Sequence, residues 1–211
     1  MDETIDQLQY DEKHYCWEGT IEVQASKDLF QTDLYTLNTF IDEAEQPLCI
    51  TALNSIDYVK EHFEEIYHIF LESMLAWQNS NKMAYEVYDE ETHNFDPIHF
   101  SHKEEIHNYL GSPLLQIHPS YIKDQFSYYS VNFFNQNRLS IEHGFSALFH
   151  KKELIDLIPF DAETGLQNLI DLEPDCTRWQ PNFWMLKLER SELLYNDPPT
   201  FKNVWLNGTS T

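Results

Sequence analysis

The chain has 211 residues, with 13 Lys plus Arg against 36 Asp plus Glu, a formal charge of −23 and a pI near 4.5. A field of that sign repels phosphate backbones and anionic lipid, which argues against nucleic-acid and membrane-surface binding. With 42% hydrophobic and 15% aromatic residues, the composition is that of a folded globular chain and not of a disordered acidic one.

A chain of this length can build one sizeable core without metal or disulfides. The cysteines, Cys16, Cys49 and Cys176, are odd in number, far apart and form no Cys-x-x-Cys pair, so three free thiols are expected. The acidic start, Met1-Asp2-Glu3-Thr4-Ile5-Asp6, is unlike a secretory signal, and no stretch reaches the roughly 20 apolar residues of a membrane span. The expected location is cytoplasmic.

In chain order, a polar lead-in precedes Tyr15 to Gln24, where Trp17, Ile21 and Val23 alternate with polar residues apart from a break at Gly19, as in a half-buried strand. A second extended run, Leu34 to Ile41, can pair with it through a turn around Ser26-Lys27-Asp28, making an N-terminal meander. From Ser55 to Gln78, apolar residues recur as Ile56, Val59, Phe63, Ile66, Phe70, Met74 and Trp77 in steps of three or four. That spacing predicts an amphipathic helix about 36 Å long, with Asn54 or Ser55 as its N-cap and Asp57 in its first turn. Asn79 to Lys103 reads as an exposed acidic connection, and Lys103 to Leu110 as a short helix closed by Gly111. Four strand-like runs follow, beginning at Leu114, Phe126, Phe145 and Glu153, the last two joined by a Lys151-Lys152 hairpin. A short helix (Gly165 to Leu172), an aromatic strand (Phe183 to Leu188) and a polar tail complete the reading. The expected fold is α+β: an antiparallel β-sheet packed against one long amphipathic helix, with short extra helices. One domain spans 1–211, its core at about 15–160 and residues 161–211 an extension packing on it.

Three groups of residues bear on chemistry. Glu142 and His143 are an acid–base pair by type, but adjacent residues on an extended chain point to opposite faces. The structural reading is a hairpin in which Gly144 supplies an unusual φ. His93, His99, His102 and His107, near Asp89, Glu90, Glu91, Asp96 and Glu104, form the best metal candidate, yet none fits His-Glu-x-x-His and the segment is polar enough to be solvated, so no metal or other cofactor is assigned. There is no Gly-x-Ser-x-Gly elbow and only five glycines are available for a phosphate-binding loop. No catalytic residue is assigned.

The segment Asn137-Arg138-Leu139-Ser140-Ile141-Glu142-His143-Gly144-Phe145-Ser146-Ala147-Leu148-Phe149, followed by the strand Leu154 to Ile158, resembles the C-terminal signature of an uncharacterised bacterial domain family with a Glu-His-Gly hairpin. That signature carries a Trp before Glu-His-Gly and a second Gly after it; here Leu139 and Ser140 precede the motif and Ser146 stands at the second Gly. The resemblance implies an N-terminal strand pair, a central helix and a cytosolic accessory protein. Some members look like immunity proteins of toxin systems, and no catalytic residue is implied.

The charge is concentrated at one end: residues 1–105 hold 5 basic and 24 acidic side chains, residues 106–211 hold 8 and 12. Such an asymmetry steers a basic partner. The leading expectation is a non-enzymatic, immunity- or antitoxin-like inhibitor of a basic toxin or nuclease, contacting it through Asp57, Glu61, Glu64, Glu65 and Glu72 of the helix and Asp89, Glu90 and Glu91 after it. The alternatives are an adaptor or regulatory protein whose charge only confers solubility, and a metal-dependent enzyme using the histidine-rich segment.

Overall fold

In the computed structural model the described residues are 8–42, 46–81, 84–89, 91–139 and 144–158. The expected extension at 161–211, with its helix and aromatic strand, lies outside them.

Strands β1 (Leu8–Asp11), β2 (Cys16–Gln24) and β3 (Leu34–Ile41) form the N-terminal antiparallel meander, with a single helical turn, α1 (Lys27–Phe30), between β2 and β3. β2 runs through Gly19 without a break. β1 falls in what the sequence reads as a polar lead-in, because only Leu8 of its four residues is buried.

Helix α2 (Ile50–Asn81) is 32 residues long, about 48 Å, and so exceeds the expected span at both ends. Its buried stripe begins at Ala52 and continues through Ile56, Val59, Phe63, Ile66, Phe70 and Met74. The first turn closes by Leu53 N–H donating to the Cys49 carbonyl at 3.2 Å. Asn54 and Ser55 are therefore not caps, and Asp57 is not in the first turn. Both side chains bind the sheet instead: Asn54 Nδ2 donates to the Gln125 carbonyl at 2.9 Å, and the Ser55 hydroxyl to the Ser127 carbonyl at 2.8 Å. Residues suited to capping here fasten the helix to a hairpin far along the chain.

The expected exposed connection contains a hairpin, β4 (Tyr85–Asp89) with β5 (Asn94–Ile98). β5 is exposed along its length except at half-buried Ile98, so it leaves no hydrophobic alternation to read. The hairpin is fastened at its base, where the Tyr85 hydroxyl donates to the Met74 carbonyl at 2.8 Å and its ring meets Trp77 at 5.0 Å. Helix α3 (Lys103–His107) is followed by a turn and by Gly111 at φ +74°, where a Cβ would collide with the Asn135 carbonyl.

The second half supplies β6 (Leu114–Lys123), β7 (Phe126–Phe133), β8 (Phe145–His150) and β9 (Glu153–Ile158), paired antiparallel in sequence. Asp124 and Gln125 between β6 and β7 have φ of 49° and 68°, the left-handed pair that a two-residue hairpin turn requires. Lys151-Lys152 turns β8 into β9 as expected, with Lys151 at φ 53°.

The two antiparallel blocks join into one seven-stranded sheet, ordered β1-β2-β3-β6-β7-β8-β9. The junction is parallel: Asn38, Thr39, Phe40 and Ile41 of β3 stand opposite Leu114, Leu115, Gln116 and Ile117 of β6. The sheet is thus mixed, which refines the wholly antiparallel expectation. A parallel pair needs a long crossover, and α2, β4–β5 and α3 form it.

α2 covers one face of the sheet. Ile21, Leu37, Leu115, Val131 and Phe149 point toward it and, with its stripe, make the core. Phe70 stacks on Phe133 at 4.8 Å between ring centroids, and Phe63, Tyr67 and Phe30 extend the aromatic layer. Phe70→Ala should lower the unfolding free energy by about 3–5 kcal/mol through the cavity it leaves. Leu34→Ala, at a site 58% exposed, should change it by less than about 0.5 kcal/mol, both read from urea unfolding.

Candidate functional site

The solvent side of α2 carries the helix carboxylates. Asp57, Glu61, Glu64 and Glu72 fall within about 80° of arc and are exposed, with Glu65 exposed beside them. They are not equivalent. Glu65 pairs with Lys152 of the β8–β9 turn at 3.1 Å and lies 3.9 Å from His62, while Glu72 pairs with Lys103 at the start of α3. Glu61 and Glu64 have no ion pair among the described residues, so their charge is directed into solvent.

The acidic segment after the helix is held apart from this stripe. Asp89 lies four residues, about 13 Å, along β4 from Tyr85, where the hairpin is fastened. Its Oδ1 accepts the Glu91 N–H at 2.8 Å and the Thr92 N–H at 3.4 Å, and these bonds hold the carboxyl below its ordinary range. Asp89 therefore shapes a turn, Glu91 is exposed on that turn, and Glu90 lies outside the described residues.

The histidines are dispersed. The Tyr88 hydroxyl lies 2.8 Å from His93 Nδ1 on the hairpin turn, and His99 is exposed. His102 precedes α3, where the Glu105 carboxylate accepts the N–H groups of Ser101 at 2.8 Å and His102 at 3.3 Å. His107 faces the core, its ring 5.1 Å from Phe30 and 5.6 Å from Tyr67. No group of three or more His, Cys, Asp or Glu side chains among the described residues is placed to hold a metal ion.

Glu142 and His143 lie outside the described residues. Gly144 is at φ +68°, and a Cβ there would sit 2.6 Å from the Phe133 carbonyl oxygen, so the position demands glycine on two counts.

A groove of about 590 Å³ lies on the other face of the sheet, opposite α2. Strand alternation puts Gln9, Glu18, Thr20, Asn38, Phe40 and Leu114 on this face, and all six line the groove. The register sets them in two rows. One runs Gln9, Glu18, Phe40, Gln116, and the other Thr20, Asn38, Leu114, Asn132. Toward β7 and β8 the rows pass into a buried polar seam. There His118 Nε2 is 3.0 Å from the Ser130 hydroxyl and Asn132 Nδ2 donates to Gln116 Oε1 at 3.2 Å. Asn132 Oδ1 and the facing Ser146 Oγ have no hydrogen-bond partner among the described residues. Sequence reading locates β2 and β3 but not this groove. Its only local signal is the outward alternation of Glu18, Thr20, Asn38 and Phe40, and its sixth side comes from β6 by a long-range pairing.

No protein-family model, curated protein or solved structure matches the chain. The resemblance around Glu142-His143-Gly144 therefore rests on its motif alone.

Two histidines, half-buried His107 and buried His150, set a pH dependence. His107 is held below its ordinary pKa first by burial, partly offset by its bond to the Leu29 carbonyl; Nδ1, 2.7 Å from the Tyr67 hydroxyl, is then left to accept from it. His150 is likewise lowered by burial, and its Nε2 lies 2.9 Å from the Lys123 carbonyl. A folded-state pKa below the unfolded value of about 6.5 means that the unfolded chain takes the proton more readily. Stability is complete above that value and is lost as pH falls through it. His107→Gln should flatten the decline in unfolding free energy between pH 7 and 5 relative to the parent chain, measured by urea titration at each pH, and an unchanged slope would assign the dependence elsewhere.

Proposed function

We propose that this chain is an acidic binding protein that recognises a basic protein, in its most specific form an immunity- or antitoxin-like inhibitor that occludes the cationic cleft of a toxin or nuclease. The observation that carries this reading is the exposed stripe of α2, on which Glu61 and Glu64 have no ion pair among the described residues and Asp57 extends the same face. An enzyme that grips phosphates presents a positive cleft, and a rigid helix bearing an outward row of carboxylates is complementary to it. Fixing the row on a helix whose other side is locked in the core lowers the ordering cost of association. Among the described residues, no helix is long and apolar enough to cross a membrane.

An adaptor whose charge only confers solubility is the second reading. It is favoured by the two carboxylates already neutralised within the chain, Glu65 by Lys152 and Glu72 by Lys103.

Affinity capture from the source cells, read by mass spectrometry at low and at moderate salt, separates the two. The inhibitor reading expects one basic protein in stoichiometric amount, lost as salt rises. With that protein in hand, E61Q/E64Q should slow association several-fold and flatten its salt dependence, whereas an unchanged rate constant would remove the helix face from the interface.

A further inference from the structure

We infer that the groove on the sheet face opposite α2 seats a basic side chain, arginine or lysine, presented by a protein partner. This rests on the reading of the chain as an acidic binding protein and locates where the partner's cation is held at short range. In the register, Glu18 stands directly between Gln9 and Phe40. Side chains opposite one another on neighbouring strands are about 4.5–5.5 Å apart at Cβ, so the carboxylate and the ring border the same guest. An aromatic face attracts a cation through its quadrupole, and a carboxylate beside it accepts the cation's N–H groups. Gln9, Thr20 and Asn38 add neutral acceptors for the donors that a guanidinium or ammonium has left over. Phe40 and Leu114 are half-buried yet stand outside the core cluster, so they offer apolar surface to the methylene stem of a long basic side chain.

The electrostatics point the same way. No Lys or Arg is among the described residues lining the groove. Cys16, two residues from Glu18 on β2, has its thiol pushed up first by burial and then by the negative charge of Asp11, Glu18 and Asp42, so three carboxylates gather at this end of the sheet. An anionic guest is repelled here, and a neutral one leaves Glu18 unused. The volume falls within the range of about 300–1,000 Å³ typical of ligand clefts, which suits one long side chain with its flanking backbone.

The test is an amide chemical-shift titration of the isotope-labelled full-length chain with the capped tripeptide acetyl-Gly-Arg-Gly-amide, and with its citrulline analogue as an uncharged control of the same shape. The inference expects saturable shifts at Glu18, Gly19, Thr20, Asn38 and Phe40. The citrulline peptide and Glu18→Gln should each bind about 5-fold more weakly, the worth of one exposed charge pair. Phe40→Leu should weaken binding about 3-fold, the worth of an exposed cation–π contact. Equal binding of arginine and citrulline peptides would overturn the inference, as would shifts in the groove that fail to saturate. Saturable shifts confined to α2 would also overturn it while leaving the acidic binding protein intact; the citrulline comparison needs no variant and so is independent of whether Phe40→Leu folds.

Discussion

The parallel pairing of β3 with β6 is the joint on which this molecule depends. Without it the chain would be two antiparallel blocks, one at each end, and α2 would have no continuous surface to cover. Four residue pairs, from Asn38 with Leu114 to Ile41 with Ile117, make the joint. Alternation then sends Leu115 and Ile117 into the core and leaves Leu114 and Gln116 on the opposite face. A slip of one residue would exchange those faces, exposing two core side chains and removing Leu114 from the groove beside Asn38 and Phe40. One register therefore specifies both the core and the groove.

The crossover that this joint requires explains the length of α2. A helix of 32 residues spans the sheet, and its buried stripe faces strands from both blocks. Its polar positions are divided by what lies near them. Asn54 and Ser55, close to the β6–β7 hairpin, bond to backbone carbonyls there, Glu65 meets Lys152 of the β8–β9 turn and Glu72 meets Lys103 at the start of α3. Those two ion pairs are exposed and contribute about 0–1 kcal/mol each, so they serve to register the helix more than to stabilise it. Glu61 and Glu64 lie between such neighbours and keep their charge outward.

The helix stripe and the groove are on opposite sides of the sheet, and a Debye length of about 8 Å at physiological salt screens one from the other. Under the proposed function they would serve different stages of an encounter: a row of carboxylates would act at a distance on the approach of a basic protein, whereas a concave site with one carboxylate and one aromatic ring would act only on a cation already in contact.

The sequence by itself determined the elements whose signal is local. The steps from Ile56 to Met74 specify a helix with one buried side, the alternation in β2 and β3 specifies half-buried strands, and Lys151-Lys152 and Gly144 mark where the chain reverses or takes a left-handed conformation. Each depends on periodicities or backbone preferences that act within a few residues. The early start of α2 was hidden because Ala52 is a weak hydrophobic marker, and Asn54 and Ser55 looked like caps because their short polar side chains suit a cap and a tertiary hydrogen bond equally. β5 carries no signal because its first four residues are exposed, which leaves no alternation to read. Only the tertiary structure decided the rest: that β3 lies beside β6, that two of the helix carboxylates are neutralised within the chain, that the histidines are dispersed, and that Glu18 shares a concave surface with Phe40 and Leu114. These follow from which distant segments meet, and that is set by the burial of the whole core and not by any local pattern.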